Sequence, residues 1–324
     1  MQREHPLKQF YNIIDHGSGE DKMGLIPEFP RIIELEITNH CNFQCIMCKT
    51  GTGTAKRKRG YMADETYEKL IREAAGRKIA FKFVGQGEPT LHPRFLEYIK
   101  KAKQNGVICH LTTNGSMFDK SFIGQLIDTQ IDSVKFSFQG VDREGYMELR
   151  GKDDFDHLLE KIGWLYELRG EKEFPYITVA TSVTNESKEE IEEFRQKCSR
   201  ICDNLEIGIT TLEFIDLSKI KKKQTHELLA KMKEDQTRKK RRYKCCHQVF
   251  DVITLHWNGS INACCADNDD VMVLGNLAEN SIQECWNGKK EQAYREILAV
   301  NDYEKLPLCK DCYDVYGWTY QGDE

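Results

Sequence analysis

The run Arg31-Ile32-Ile33-Glu34-Leu35-Glu36-Ile37 is followed, three residues later, by Cys41-Asn42-Phe43-Gln44-Cys45-Ile46-Met47-Cys48. The first stretch is a short β-branched run of strand character. The second places three cysteines at C-x3-C-x2-C directly after it. Three thiolates hold three irons of a [4Fe–4S] cube and leave the fourth open to a small molecule, whereas ordinary cluster sites supply four cysteines. Two plainer readings compete. The thiols form part of a zinc site with adjacent His40 as a further ligand, or they are unrelated.

Outward from this loop the chain alternates strand and helix patterns. Strand candidates are residues 32–38, 80–84, 107–112, 133–138, 176–183 and 205–211. Between them lie amphipathic runs at 64–77, 93–105, 120–129, 156–168 and 187–202. The first opens on the N-cap type residue Asp64 and spaces Tyr67, Leu70, Ile71 and Ala74 helically. Such strand–helix steps demand parallel strands with right-handed crossovers. Pattern alone permits a doubly wound sheet or a barrel.

Three further motifs end these strands. They are Gly85-Gln86-Gly87-Glu88-Pro89, Thr112-Thr113-Asn114-Gly115, and Ser133 through Gly140 followed by Tyr146-Met147-Glu148-Leu149-Arg150-Gly151. Glycines let a backbone approach a ligand and expose its carbonyls. Each motif alone is an ordinary strand-to-turn junction. In this order, with the three cysteines, they resemble the radical S-adenosylmethionine (SAM) superfamily. The resemblance implies a partial (β/α)6 TIM barrel in place of the doubly wound sheet. It implies Cys41, Cys45 and Cys48 as ligands of a [4Fe–4S] cluster whose open iron chelates the SAM amino and carboxylate groups. Gln86, Gly87, Glu88 and Pro89 then hold the amino group through the backbone, with Gln86 in place of the first glycine of the family's GGEP motif. Asn114 matches the TNG turn. Ser137 and Arg150 match the pair that binds the carboxylate. Met47 replaces the family's aromatic before the third cysteine and would contact adenine through its backbone and thioether.

The chain has 324 residues, 40% of them hydrophobic and 10% aromatic, which bounds it to one large globular domain or one large and one small. A formal net charge of −5 gives no global basic signature for nucleic acid. No apolar run reaches membrane-spanning length and the N-terminus lacks a signal pattern, so the expected location is cytoplasmic. In that compartment 13 clustered cysteines read as metal ligands rather than disulfides. Residues 1–30 read as an N-terminal extension, 31–215 as the barrel, 216–244 as a basic linker and 245–324 as a cysteine-rich domain. The charge run at 219–244, with Lys239-Lys240-Arg241-Arg242, reads as a solvated helix and linker in preference to a nucleic-acid contact. The Gly- and Lys/Arg-rich residues 52–60 read as a mobile loop beside the first cysteines.

In the last quarter, Cys245-Cys246 precedes an alternating run to His256-Trp257, then Asn258-Gly259, then Ser260-Ile261-Asn262-Ala263-Cys264-Cys265. Two such runs about Asn-Gly signal a hairpin, which brings Cys246 near Cys264. Cys309-Lys310-Asp311-Cys312 adds a C-x2-C knuckle, and four thiolates make a closed site. A zinc ribbon has similar spacing. The arrangement resembles the twitch domain, the short form of the SPASM extension of radical SAM enzymes, with Gly259 and Cys264 matching its G-x4-C element. That resemblance implies one auxiliary [4Fe–4S] cluster on Cys246, Cys264, Cys309 and Cys312, with Cys245 and Cys265 as alternatives to the first two. Cys109, Cys198, Cys202 and Cys285 read as buried thiols.

The implied activity is hydrogen abstraction from a small substrate by a 5′-deoxyadenosyl radical, a radical SAM oxidoreductase reaction. A closed auxiliary cluster suits a one-electron acceptor, so oxidation of a sugar or aminocyclitol alcohol to a ketone is expected, similar to the 2-deoxy-scyllo-inosamine dehydrogenase type. Peptide maturation is the alternative, as is carbohydrate epimerisation with Cys265 or Cys285 as hydrogen donor. A zinc- and nucleic-acid-binding protein is the alternative from another class. The expected partners are a small-molecule substrate and an electron donor such as flavodoxin or ferredoxin, without membrane or nucleic acid. Glu213 and Asp216, after the last strand, are candidates for the general base, and Asp267 for orienting the auxiliary loop.

Overall fold

The computed structural model describes residues 3–14, 18–210, 212–236, 246–310 and 312. Six parallel strands, β1 (Ile32–Leu35), β2 (Ala80–Phe83), β3 (Ile108–Thr113), β4 (Ser133–Ser137), β5 (Tyr176–Val183) and β6 (Asn204–Ile209), lie side by side in chain order. A doubly wound sheet reverses its strand order at a switch point. This one does not reverse, and β6 and β1 do not pair, so the barrel is partial.

Helices Asp64–Ala74, Phe95–Gln104, Lys120–Asp128, Phe155–Arg169 and Lys188–Cys198 connect successive strands. Their starts follow side-chain chemistry. Asp119 accepts from the Phe122 N–H, and Ser187 and Glu190 form a reciprocal capping box. Several expected ends are trimmed. The first of these helices stops at Ala74 rather than 77, just before Gly76 turns left-handed at φ +73°. β1 stops at Leu35 rather than 38, because Thr38 leaves the sheet to bridge Tyr61. A helix over Arg143–Arg150, capped by Asp142 and ended by left-handed Gly151, carries Arg150 and was not foreseen as a helix.

Alternation along the strands sends Ile33, Leu35, Phe81, Phe83, Leu111, Val134 and Phe136 into the main core. The opposite face carries a polar row in register, Glu34, Lys82, His110 and Ser133. Lys82 Nζ meets Glu34 Oε1 at 2.5 Å, and His110 Nδ1 meets Ser133 Oγ at 2.7 Å. Burial holds the His110 ring well below its ordinary pKa, hence neutral.

The strands of the C-terminal cysteine-rich domain continue the same sheet. Strand β7 (Val252–Leu255) pairs with β1 in parallel, Ile32 against Val252 through Leu35 against Leu255. The hairpin then turns at Gly259, φ +81°, into antiparallel β8 (Ser260–Asn262) and β9 (Val273–Asn276), making nine strands. The N-terminal extension closes the floor, with Leu7 and Phe10 packed on Ile32, Ala80 and Val252. The basic segment contains the helix Lys223–Gln236, whose Leu229 and Met232 pack with Ile46, Leu149 and Leu212. Lys239 through Arg242 and Cys245 lie outside the described residues. Among the described residues, no helix is long and apolar enough to cross a membrane.

Candidate functional site

The first cysteine loop leaves the C-terminal end of β1, where barrel chemistry sits. It is pinned on both sides, since Ile46 N–H donates to Leu149 O at 3.0 Å and Ile46 O accepts from Asp216 N–H at 2.8 Å. Behind it the short helix Lys49–Thr52 brings Gly51 so close that a Cβ there would stand 2.5 Å from Cys45 N. Burial pushes the Cys41 thiol up to about 11, the Phe43 backbone opposing and Glu88, Cys45 and Cys48 adding to it. Burial likewise raises the Cys45 thiol, and crowded thiols of this kind suit a cationic metal cluster, which takes them as thiolates.

A cavity of about 220 Å³ is lined by Cys41, Cys45, Met47, Cys48, Gln86, Gly87, Glu88, Asn114, Ser137 and Arg150. Nearly all the residues singled out for SAM thus share one space. Pro89 stands behind it, buried, at the start of a 3-10 turn over Pro89–Leu91. Gly87 admits no side chain, as a Cβ would lie 2.6 Å from His40 O. The Glu88 carboxylate accepts from Thr90 N–H (3.2 Å), Thr90 Oγ1 (2.6 Å), Thr113 Oγ1 (2.7 Å) and Asn114 N–H (2.7 Å), locking two of the motifs together. Burial nonetheless holds its carboxyl above the usual range. The buried Arg150 guanidinium lies 5.2 Å from the Phe43 ring, and its Nε has no hydrogen-bond partner. A buried cation lining the cavity fits a ligand carboxylate. The thiol set, the bare glycine backbone and this cation fit a [4Fe–4S] cluster with SAM.

A second cavity, about 260 Å³, shares Val84, Gly85 and Gln86 with the first. Its other walls are Glu34 and Glu36 of the β1 segment, Thr254 and His256 of the β7 segment, and Cys265 and Asn268. Thr254 Oγ1 and Gln86 Oε1 are buried without partners. His256 Nδ1 meets Asp270 Oδ1 at 2.7 Å, and Asn262 Nδ2 donates to the same oxygen at 3.2 Å. Burial pushes the Asp270 carboxyl up, but the bond and charge of His256, the Arg57 charge and the Asn262 bond together hold it below the usual range.

The second cysteine group also converges. Cys246 interacts electrostatically with Cys309 and Cys312, and Cys264 with Cys246 and Cys312. Among the described residues, no three His, Cys, Asp or Glu side chains stand close enough to share one metal ion. A four-iron cube is wider and spreads its thiolates over its corners. Cys264 Sγ accepts from Ala266 N–H at 3.4 Å, while neighbouring Cys265 lines the second cavity. Asp267 closes the auxiliary loop by accepting from Val271 and Met272 N–H, both at 2.7 Å.

Residues 52–60, read as a mobile loop, are tied down instead. Arg57 forms a bidentate pair with Glu36 at 2.7 and 2.8 Å, and its Nε donates to Asn268 O at 2.7 Å. Asp269 receives Lys49 Nζ at 2.6 Å and Lys56 N–H at 3.3 Å. Asn39 Nδ2 holds Lys58 O at 2.8 Å. The composition suggested mobility, but some of the partners come from a loop more than 200 residues away. Glu213 and Asp216 line neither cavity. The Asp216 carboxylate accepts from the Ser218 hydroxyl and N–H, which lower its pKa, and its own N–H braces the cysteine loop. Reading the sequence missed Glu36, Arg57, His256 and Asn268. Only Glu36 carried a signal, a carboxylate two residues beyond Glu34 at the end of a strand.

Comparisons with known proteins agree with this geometry. The radical SAM superfamily matches residues 35–234, and the SPASM iron–sulfur cluster-binding domain matches 245–313. A Pyrococcus furiosus protein, the tungsten-containing aldehyde ferredoxin oxidoreductase cofactor-modifying protein, is 23% identical over 87% of both chains. The mycofactocin maturase MftC of Mycobacterium tuberculosis is 25% identical over 55% of this chain and 44% of its own length. Among solved structures, BtrN in complex with AdoMet and 2-DOIA superposes with a TM-score of 0.56 at 16% identity, over 86% of this chain and 91% of that one. Streptococcus suis SuiB bound to S-adenosylmethionine gives 0.64 at 17% identity, over 91% and 74%. The chain belongs to the radical SAM superfamily, as an enzyme of the SPASM type whose cofactors are SAM and [4Fe–4S] clusters.

Proposed function

We propose that this enzyme oxidises an alcohol of a small hydroxyl-rich molecule, a sugar or aminocyclitol, to a ketone in the cytoplasm, with an auxiliary cluster on Cys246, Cys264, Cys309 and Cys312 as electron acceptor. The observation that carries this reading is the second cavity, which adjoins the SAM site on one side and the auxiliary loop on the other. Its 260 Å³ equals roughly nine water volumes at about 30 Å³ each, room for one ring-sized molecule. Its free hydrogen-bonding atoms, Thr254 Oγ1 and Gln86 Oε1, suit hydroxyl groups.

When bound, SAM and its cluster supply a 5′-deoxyadenosyl radical, and the auxiliary cluster supplies a one-electron sink. Converting a carbinol to a ketone removes a hydrogen atom, a proton and an electron. The proton is the side chains' share. Asp270 fixes His256 through Nδ1 and leaves Nε2 as the proton acceptor for the substrate hydroxyl. This assigns to His256 the role first considered for Glu213 and Asp216. A small electron carrier such as flavodoxin or ferredoxin would reduce the SAM cluster. A peptide side chain entering the same cavity is the second reading, supported by the likeness to the mycofactocin maturases.

The test begins with iron, sulfide and zinc per chain after anaerobic reconstitution. About eight irons are expected, four per cubane. Carbinol-deuterated myo-inositol and 2-deoxy-scyllo-inosamine are then supplied. Ketone formation should fall ~100-fold or more in His256→Gln, within the usual range for a general base. Deuterium transfer to 5′-deoxyadenosine should persist. One cubane with one zinc, or a His256→Gln enzyme that forms ketone at the parent rate, would defeat the dehydrogenase reading as stated.

A further inference from the structure

The residue that departs from the family motif, Gln86, points its side chain at the auxiliary loop. Gln86 Nε2 donates to Asn268 Oδ1. Asn268 O accepts from Arg57 Nε at 2.7 Å, Arg57 grips Glu36 with both terminal nitrogens, and Glu36 Oε2 accepts from the Gln86 N–H at 3.0 Å. The four residues close a hydrogen-bonded ring. It runs through four separate segments: the end of β1, the 52–60 loop, the motif after β2 and the loop after Cys264. Two members of the ring, Glu36 and Asn268, are buried.

We propose that Gln86 and Asn268 are positioning residues that make SAM binding at the first cluster depend on the order of the auxiliary-cluster loop. The reason is the lack of slack around Gln86. On one side Gly85 packs on Glu36, where a Cβ would stand 2.6 Å from its Cγ. On the other, Gly87 packs on the backbone of Thr38 and His40. A loop packed on a buried side chain on one flank and on backbone on the other has little room to adjust, so displacing Asn268 moves the peptide planes that face the SAM cavity. Buried polar groups without partners are also costly, so losing one bond of the ring weakens the hold on the others. Asn268 lies four residues from Cys264 and is held by the same loop that Asp267 closes. An auxiliary loop that has lost its cluster therefore releases Asn268, and with it the motif. The inference does not depend on which substrate the enzyme oxidises. Its effect would be to withhold SAM, and hence radical formation, from a protein that has no electron acceptor.

The coupling must be reciprocal, because linkage makes each site act on the other by the same factor. The experiment uses the fully reconstituted protein and SAM as the probe. SAM dissociation constants are measured by anaerobic calorimetry for the parent, Gln86→Ala, Asn268→Ala, the double variant and Cys309→Ser. Chelator-driven loss of the auxiliary cluster is followed with and without SAM. SAM affinity should weaken by roughly 5–150-fold, the usual range of site-to-site coupling, in each single variant. The double variant should be no worse than the weaker single, since both break one link. SAM should slow auxiliary-cluster loss in the parent and not in Asn268→Ala. The electron paramagnetic resonance change that SAM induces in the reduced first cluster should shrink in parallel. SAM affinities within twofold of the parent in both single variants would overturn the proposal. So would equal protection of the auxiliary cluster by SAM in parent and Asn268→Ala. If Cys309→Ser fails to fold, the single ring variants decide alone.

Discussion

Replacing Arg57 with methionine should destabilise the protein out of proportion to one side chain on a loop. The Arg57 and Glu36 side chains are 7% and 1% exposed, so this ion pair is buried. Methionine keeps much of the arginine stem but removes both N–H bonds to the carboxylate. Glu36 then keeps the Gln86 N–H at 3.0 Å, but no cation. Deleting one member of a buried pair costs about 3–5 kcal/mol, because the other charge stays buried and uncompensated. A chain of this size loses about 2 °C of melting temperature per kcal/mol, the lower end of the range for large domains. The Arg57→Met protein should therefore melt about 6–10 °C below the parent in anaerobic calorimetry. Adding Glu36→Gln removes the stranded charge while keeping its volume, and should restore more than half of the loss. A drop under about 1 kcal/mol would show that the pair behaves as an exposed one. A double variant no more stable than Arg57→Met would refute the stranded-charge argument.

Two further outcomes follow from the geometry. Gly51→Ala should lower bound iron toward the about four atoms of the auxiliary site alone, because the added carbon meets the Cys45 backbone. Gly163→Ala, whose nearest neighbour is 3.8 Å away, should leave iron unchanged, and equal iron in both variants would contradict the packing argument. Glu291 is fully buried, neither of its oxygens is hydrogen-bonded, and burial pushes its carboxyl up to about 8 with Arg295 opposing. The folded chain holds a proton there that the unfolded chain releases above its ordinary 4.5, so this stability is full at low pH and lost as pH rises toward 8. Melting temperature should fall between pH 5 and 8, and Glu291→Gln should flatten that slope. An unchanged slope in the variant would assign it to other groups.

Much of the architecture was legible because it is local. Strands and helices announce themselves by period and caps, so the six strands and five connecting helices were found with ends displaced by at most four residues. The motif residues converge because each ends a strand of the same parallel sheet. What stayed hidden needs partners distant in sequence. Nothing within ten residues of Arg57 says that its charge is neutralised by Glu36 and read by Asn268, so its loop looked mobile. Asp216 was a candidate base because it follows the last strand; the structure adds that its Oδ1 accepts from Ser218, a contact that no spacing announces. His256 reads as one polar residue in an alternating hairpin. Its approach to the SAM motif follows from β7 pairing with β1, which no local pattern encodes.

That pairing has a consequence for how the protein is made. As the chain leaves the ribosome, β1 through β6 can assemble, but the free edge of β1 waits for Val252, some 220 residues after Ile32. Until then it offers a row of unpaired backbone groups, the template on which unrelated strands add and aggregates grow. Nascent chains stalled before the hairpin should be the species that chaperones hold. Expression of the barrel without its last quarter should yield insoluble protein even though every residue of the SAM motifs is present.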